Sequence, residues 1–228
     1  TRAGIVTVAG KPNVGKSTLL NRIVGQKLSI VSPKPQSTRD RIVGIHTDAG
    51  VQMVLLDTPG LLNPAYALQR AMRATALRAL RDADVIIYLA DATEGQPPSL
   101  RAAAALDAPP RAPSILALNK ADLLPPGARQ ALVDQAGEAS FVSARTGEGV
   151  AELLAKCAAH LPESPFLYPE DEVSTQTVRF FAGELVRETA LEQLSDELPY
   201  SLACEIEEWR EGKSPVYIRA VLHVERDS

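Results

Sequence analysis

The stretch GKPNVGKST, residues 10–18, sets two glycines around four residues and follows them with a lysine and a serine. Such a loop can hold phosphate. Its backbone N–H groups turn inward around an anion, and glycine lets the main chain come close. A helix starting there adds its positive end. Lys16 supplies a point charge to the β- and γ-phosphates, and the Ser17 hydroxyl suits Mg²⁺. The expected phosphate contacts are Gly10, Lys11, Pro12, Asn13, Val14, Gly15, Lys16, Ser17 and Thr18. Alone, the pattern also fits a glycine turn beside a solvated lysine. Its place between an apolar run and a helical pattern favours the phosphate.

Three further stretches end apolar runs. DTPG offers Asp57, Thr58, Pro59 and Gly60. A carboxylate at a strand tip beside the glycine loop binds Mg²⁺ through water, and the Gly60 N–H donates to a γ-phosphate oxygen. That contact exists only before hydrolysis, which makes the following loop a switch. NKAD offers Asn119, Lys120 and Asp122, and here the base is chosen. A carboxylate only accepts; guanine presents N1–H and an amine, whereas adenine would leave it unpaired. The Lys120 stem covers the base plane, and Asn119 ties its loop to the phosphate loop. SAR, with Ser143, Ala144 and Arg145, brings a backbone N–H to the guanine oxygen. In the polar, proline-rich SPKPQSTRD (32–40), Thr38 is the preferred ligand for Mg²⁺ and the γ-phosphate, Ser37 the alternative, and a plain surface loop the bland reading. The metal set is Ser17, Thr38 and Asp57. DxxG and NKxD are weak patterns singly. In this order they specify a guanine nucleotide, GTP or GDP.

The runs that must position these residues alternate with helical patterns. AGIVTVA (3–9) precedes the loop, and Leu19, Leu20 and Ile23 follow it as a helix's buried side. Residues 41–47 and 51–57 flank Asp48-Ala49-Gly50 as a hairpin. Leu68, Met72, Ala76 and Leu80 mark an amphipathic helix over 68–82. VIIYLAD (85–91) and SILALN (114–119) are continuous, as in strands covered on both faces. SFVS (140–143) is a shorter strand before a helix near 149–160. The class is α/β with a mostly parallel sheet.

LPESPFLYPEDE (161–172) reads as an extended linker. Beyond it come a helix over 175–194, with Val178, Phe181 and Leu185 on one side, and strands over 200–209 and 215–226. The alternating Val216, Ile218, Ala220, Leu222 and Val224 predict one buried face. One helix on two strands is too little for an independent core, so the sequence is expected to stop inside a domain.

The 228 residues, 45% hydrophobic and 23% charged, suit a soluble globular chain. A net charge of −4 gives no general attraction to nucleic acid or anionic membrane. No apolar run approaches the ~18 residues of a membrane span, and no signal peptide is visible. The chain begins with Thr1, which leaves room for native residues ahead of it. Cys157 and Cys204 stand apart, as buried free thiols do. His46, His160 and His223 show no metal spacing, and Trp209 reads as a packing residue, with base stacking the alternative. Lys27, Lys34, Arg39 and Arg41 make a basic stretch, read as solvated with a partner contact as the alternative.

GKPNVGKST, STRDRIVG, DTPGL, NKAD and SAR resemble the Era family of translation-factor-related GTPases. ESPFLYPEDE, DELPYSLACEIEEW and VYIRAVLHVERDS resemble that family's linker and the first half of its KH domain, so the resemblance covers essentially the whole chain. It implies a P-loop GTPase domain over 1–161 with a mostly parallel six-stranded sheet flanked by helices. It implies a linker over 162–172 and a partial α+β domain of KH type II over 173–228. The activity implied is GTP hydrolysis with Mg²⁺, the partners the 3′ end of small-subunit ribosomal RNA and the small subunit during assembly. The implied location is the cytoplasm, with some contact at the inner membrane surface. The implied catalytic set is Lys16, Thr38, Gly60 and Asn13, with Asn13 either a K⁺ ligand, as in related GTPases, or a cap of the phosphate loop.

The chain departs from the family where Ser37 replaces a threonine, and it stops before the GxxG loop that clamps nucleic acid in KH domains. Residues 173–228 hold six Lys and Arg against eleven Asp and Glu, a net of −5, so RNA binding by this chain is expected to be weak. Leu61 stands where many GTPases carry a water-orienting glutamine, so hydrolysis is expected to be slow. The competing readings are a GTP-holding module with negligible turnover and a related GTPase acting on other RNA. A P-loop ATPase is disfavoured by Asp122.

Overall fold

The computed structural model describes residues 1–32, 38, 41–136, 138–193, 202–212 and 215–224. The chain runs β1 (Arg2–Ala9), α1 (Lys16–Val24), β2 (Ile42–Asp48), β3 (Val51–Asp57), α2 (Ala67–Asp82), β4 (Val85–Asp91), α3 (Leu100–Ala103), β5 (Ser114–Asn119), α4 (Ala128–Ala136), β6 (Ser140–Phe141) and α5 (Val150–His160). Then come α6 (Val178–Gln193), β7 (Ala203–Arg210) and β8 (Tyr217–His223). Six strands form one sheet in the order β2-β3-β1-β4-β5-β6, and β7 pairs with β8 in a second. Only β2 runs antiparallel in the large sheet, joined to β3 through Ala49 (φ 46°) and Gly50 (φ 79°). Two consecutive left-handed residues match the twist of a tight hairpin.

Because β1, β3, β4 and β5 are parallel, their C-terminal ends lie along one edge, and the loops leaving them converge there. The register aligns Val8 with Asp57 and Asp91 with Asn119. β4 is buried along its whole length, as a strand covered on both faces must be. The main core joins β1, β3, β4 and α5 to Leu19, Leu20 and Ile23 of α1. Met72, Ala76 and Leu80 form the buried stripe of α2.

Several expectations need correction. β5 is not covered throughout: Ser114 is exposed and Ile115 and Leu116 half-buried, because its neighbour β6 pairs only with Ala117 and Leu118. β6 ends at Phe141 rather than 143, since Ser143 already turns the chain, its carbonyl accepting from the Gly147 N–H. α3 and α4 are additional helices. α3 is a single turn capped by Ser99, and α4 buries little beyond Leu132, so neither left a strong periodic signal. Cys157 is fully buried, and burial pushes its thiol up to about 12, while Cys204 is only half-buried.

α6 does not bury Val178 and Leu185, which are exposed; its buried side carries Gly183, Arg187, Glu188, Ala190 and Leu191. The alternating row on β8 is likewise uncovered, with Val216, Ile218, Leu222 and Val224 all exposed. α6 lies mainly along β7, with Gly183 against Ile206. The linker is extended but fastened. Thr1 Oγ1 donates to the Ser164 carbonyl, and the buried Gln52 amide holds both Leu167 and Tyr168. Among the described residues, no helix is long and apolar enough to cross a membrane.

Candidate nucleotide site

The converging loops enclose a cavity of about 660 Å³ lined by Asn13, Lys16, Ser17, Thr38, Gly60, Lys120, Asp122 and Arg145, among others. The phosphate loop forms its floor. Gly15 sits at φ 98°, and a Cβ there would stand 2.3 Å from Asn119 Nδ2, so both conformation and space demand glycine. α1 begins at Lys16, its N-terminal N–H groups facing the cavity floor. Lys16 is 6% exposed, and its Nζ donates to the Lys11 carbonyl at 2.8 Å. Burial pushes its ammonium down to about 8, against the pull of Asp57.

Ser17, Thr38 and Asp57 meet at the glycine-loop end of the cavity. Ser17 Oγ donates to Asp57 Oδ2 at 2.7 Å, and Thr38 Oγ1 lies 3.1 Å from Ser17 Oγ and 3.4 Å from Asp57 Oδ2. Asp57 is fully buried. Burial raises its pKa, and Lys16, Ser17 and Thr38 oppose that rise. Its Oδ1 has no hydrogen-bond partner among the described residues. A buried, orphaned carboxylate oxygen beside two hydroxyls fits a hard cation that takes its other ligands from phosphate and water, as Mg²⁺ does. Gly60 crosses directly over the phosphate loop, where a Cβ would lie 2.6 Å from Pro12 N. The Leu61 N–H donates to the Gly10 carbonyl at 2.8 Å, locking the two loops together.

At the other end, Asn119 is the bridge. Its Nδ2 donates to the Val14 carbonyl at 2.7 Å, and its Oδ1 accepts the Ala144 N–H at 2.9 Å. One buried amide thus binds three loops. Lys120, in a left-handed conformation at φ 64°, is held by Asp91 at 2.5 Å. Asp91 also accepts the Thr93 N–H and hydroxyl; burial alone would raise its pKa, but these partners hold it below the usual carboxylate range. Asp122 pairs with Arg145 at 2.5 Å, and hydrogen bonds from Ser143 and Arg145 hold its carboxyl down and ionised.

Not every expected contact reaches the cavity with its side chain. Lys11 points outward to Glu94 at 3.4 Å. Val14 is packed in the core, and the Thr58 hydroxyl donates to the Val8 carbonyl. Leu61 is buried in an apolar cluster with Ala76, Leu80 and Tyr88. Ser37, Lys34 and Arg39 lie outside the described residues. Two residues passed unnoticed in the sequence. Asp91 could have been found, since it ends VIIYLAD as Asp57 ends its own strand. Arg22, whose guanidinium donates to the Ala144 and Arg145 carbonyls, had no local signal.

A family model described as 50S ribosome-binding GTPase matches residues 5–120. The chain is 43% identical over 237 aligned residues to GTPase Era of Pseudomonas savastanoi pv. phaseolicola, spanning 100% of this chain and 78% of that protein. A crystal structure of an Aquifex aeolicus Era variant bound to GDP.AlF4- is similar with a TM-score of 0.92 at 35% identity, covering 100% of this chain and 80% of that one. The same values hold for a crystal structure of Era in complex with MgGDPNP and nucleotides 1506–1542 of 16S ribosomal RNA. With such identity along its full length and the site geometry in place, the chain belongs to the Era family of GTPases.

Proposed function

We propose that the chain binds GTP with Mg²⁺, hydrolyses it slowly, and uses its nucleotide state to control contact with the 3′ end of small-subunit ribosomal RNA during small-subunit assembly. One observation carries the nucleotide reading. A single cavity joins a buried lysine at one end to an ionised, acceptor-only carboxylate, Asp122, at the other. In this reading phosphate oxygens replace the Lys11 carbonyl on Lys16, and guanine N1–H and amine replace Arg145 on Asp122. The Ala144 N–H is taken by Asn119, which leaves the Arg145 N–H to meet the base oxygen.

Ser17, Thr38 and Asp57 hold the Mg²⁺, which when bound neutralises charge on the β- and γ-phosphates. Gly60 senses the γ-phosphate through its N–H. Because Leu61 is buried and apolar, no side chain there orients the attacking water, and turnover rests on positioning and electrostatics. Asn13, which lines the cavity at φ 62°, is the proposed K⁺ ligand.

The proposed domains are a GTPase unit over 1–161, a linker over 162–172 and a KH-type unit from 173. Similarity to the Era complex with 16S ribosomal RNA supports the RNA partner. The reading places the chain in the cytoplasm with peripheral contact at the inner face of the cell membrane, which fractionation tests.

Calorimetry with GTP and ATP tests the base assignment, and equal uptake of both would overturn it. Single-turnover hydrolysis by the full-length protein, with and without the RNA 3′ end, tests the switch. Acceleration by RNA is expected; no turnover under either condition would leave a GTP-holding module instead.

A further inference from the structure

We infer that Glu188 and Gln176, both outside the nucleotide site, are positioning residues that hold the two flanks of the Thr38-bearing segment and so favour the GTP-bound over the GDP-bound state. The inference rests on the nucleotide reading above.

On the upstream flank, Glu188 projects from α6 and is 5% exposed. One carboxylate oxygen accepts the Val31 N–H at 3.2 Å, and the other pairs with Lys27 at 2.6 Å. On the downstream flank, Gln176 Oε1 accepts the Val43 N–H at 3.2 Å, and its Nε2 donates to the Arg41 carbonyl at 3.3 Å. Beside it, Ser174 Oγ donates to the Val43 carbonyl at 2.5 Å, and the Val173 carbonyl accepts the Ile45 N–H at 2.9 Å. Residues 173–176 are thus fastened to the β2 edge of the large sheet by one backbone bond and by the Ser174 and Gln176 side chains. Thr38 lies between these anchors in sequence, within 3.1 Å of Ser17 Oγ. The contacts on both flanks and the placement of Thr38 at the metal-binding hydroxyl coexist in one structure.

A buried carboxylate in mid-helix is a poor way to stabilise a fold, because desolvation cancels most of what the ion pair contributes. An apolar residue would pack α6 against residues 27–31 at lower cost. Both oxygens of Glu188 are instead spent on the stretch that leads to Thr38. Thr38 meets a γ-phosphate and its cation only in the triphosphate state. Loosening either flank therefore adds ordering entropy to GTP binding and none to GDP binding.

The test measures the affinities of a non-hydrolysable GTP analogue and of GDP, both with Mg²⁺, on the full chain. Glu188→Ala and Gln176→Ala should each weaken the analogue by about fivefold to tenfold, the low end of ordinary coupling, and leave GDP within about twofold. Glu188→Gln keeps an acceptor for Val31 and loses only the charge facing Lys27, so it should retain part of the preference. Thermal melting of each variant runs alongside. If both nucleotides weaken equally, or neither does while Tm falls, the two residues only anchor α6 and the inference is overturned. Should Glu188→Ala not fold, Gln176→Ala and the near-isosteric Glu188→Gln still decide. If the unaltered chain fails to prefer GTP to ATP, the nucleotide reading fails instead.

Discussion

Nucleotide affinity should fall between pH 7 and pH 9, and Lys16 sets the size of the fall. Burial in the unliganded site pushes its ammonium down to about 8 from an ordinary 10.5. A bound diphosphate favours the ammonium, so the filled site keeps its proton well above that value. At pH 7 nearly every empty site carries the charge; at pH 9 about one in eleven does. The apparent affinity then drops about tenfold, or about 1.4 kcal/mol. Titration with a fluorescent GDP at pH 7, 8 and 9 reads the effect. Lys16→Arg, which stays protonated throughout, should bind with little pH dependence over the same range. A flat profile for the unaltered chain, or an equal fall in Lys16→Arg, would refute the reasoning. The same depressed pKa acts oppositely on unliganded stability. From about pH 8 up to 10.5 the unfolded chain holds the proton that the folded chain has released, so stability rises with pH there while affinity declines.

Asp122→Asn should lower GTP affinity by about a hundredfold and raise that for xanthine nucleotide, because an amide N–H can meet a carbonyl at the base's 2-position; competition binding reads both. Gly60→Ala has no room for its methyl 2.6 Å from Pro12 N, so single-turnover hydrolysis should fall more than about tenfold while GDP binding persists. Leu61→Gln buries an amide in an apolar cluster where Leu61 is 3% exposed; it should cost about 2–4 kcal/mol by denaturant melts and not speed hydrolysis. Turnover in K⁺ should exceed that in Na⁺ if Asn13 is the ligand, and equal rates remove that role.

Much of the site was legible in the sequence because its signals are local. A glycine loop needs its glycines and its lysine within nine residues, and DTPG, NKAD and SAR each sit at the end of an apolar run. Parallel strands bring such ends together, so the order of the runs already implied one edge and one cavity. The strands and long helices were legible for the same reason. α3 and α4 were not, since a helix that buries one side chain leaves no periodicity to read. The row on β8 misled, because alternation tells which residues share a face and not whether anything covers it.

The residue types and spacings by themselves determined the glycine loop, the placement of an acidic residue just past the tip of β5 and the α/β class, all of which depend on chemistry within a few adjacent positions. Tertiary structure alone decided that Asp91 steadies Lys120, that Asn119 bolts three loops together, that Arg145 covers Asp122, and that Glu188 and Gln176 reach the flanks of Thr38. These pairs join residues about 20 to 160 positions apart, and local sequence pattern does not encode such meetings; they exist only once helices and strands have packed and their side chains have found which partners are left.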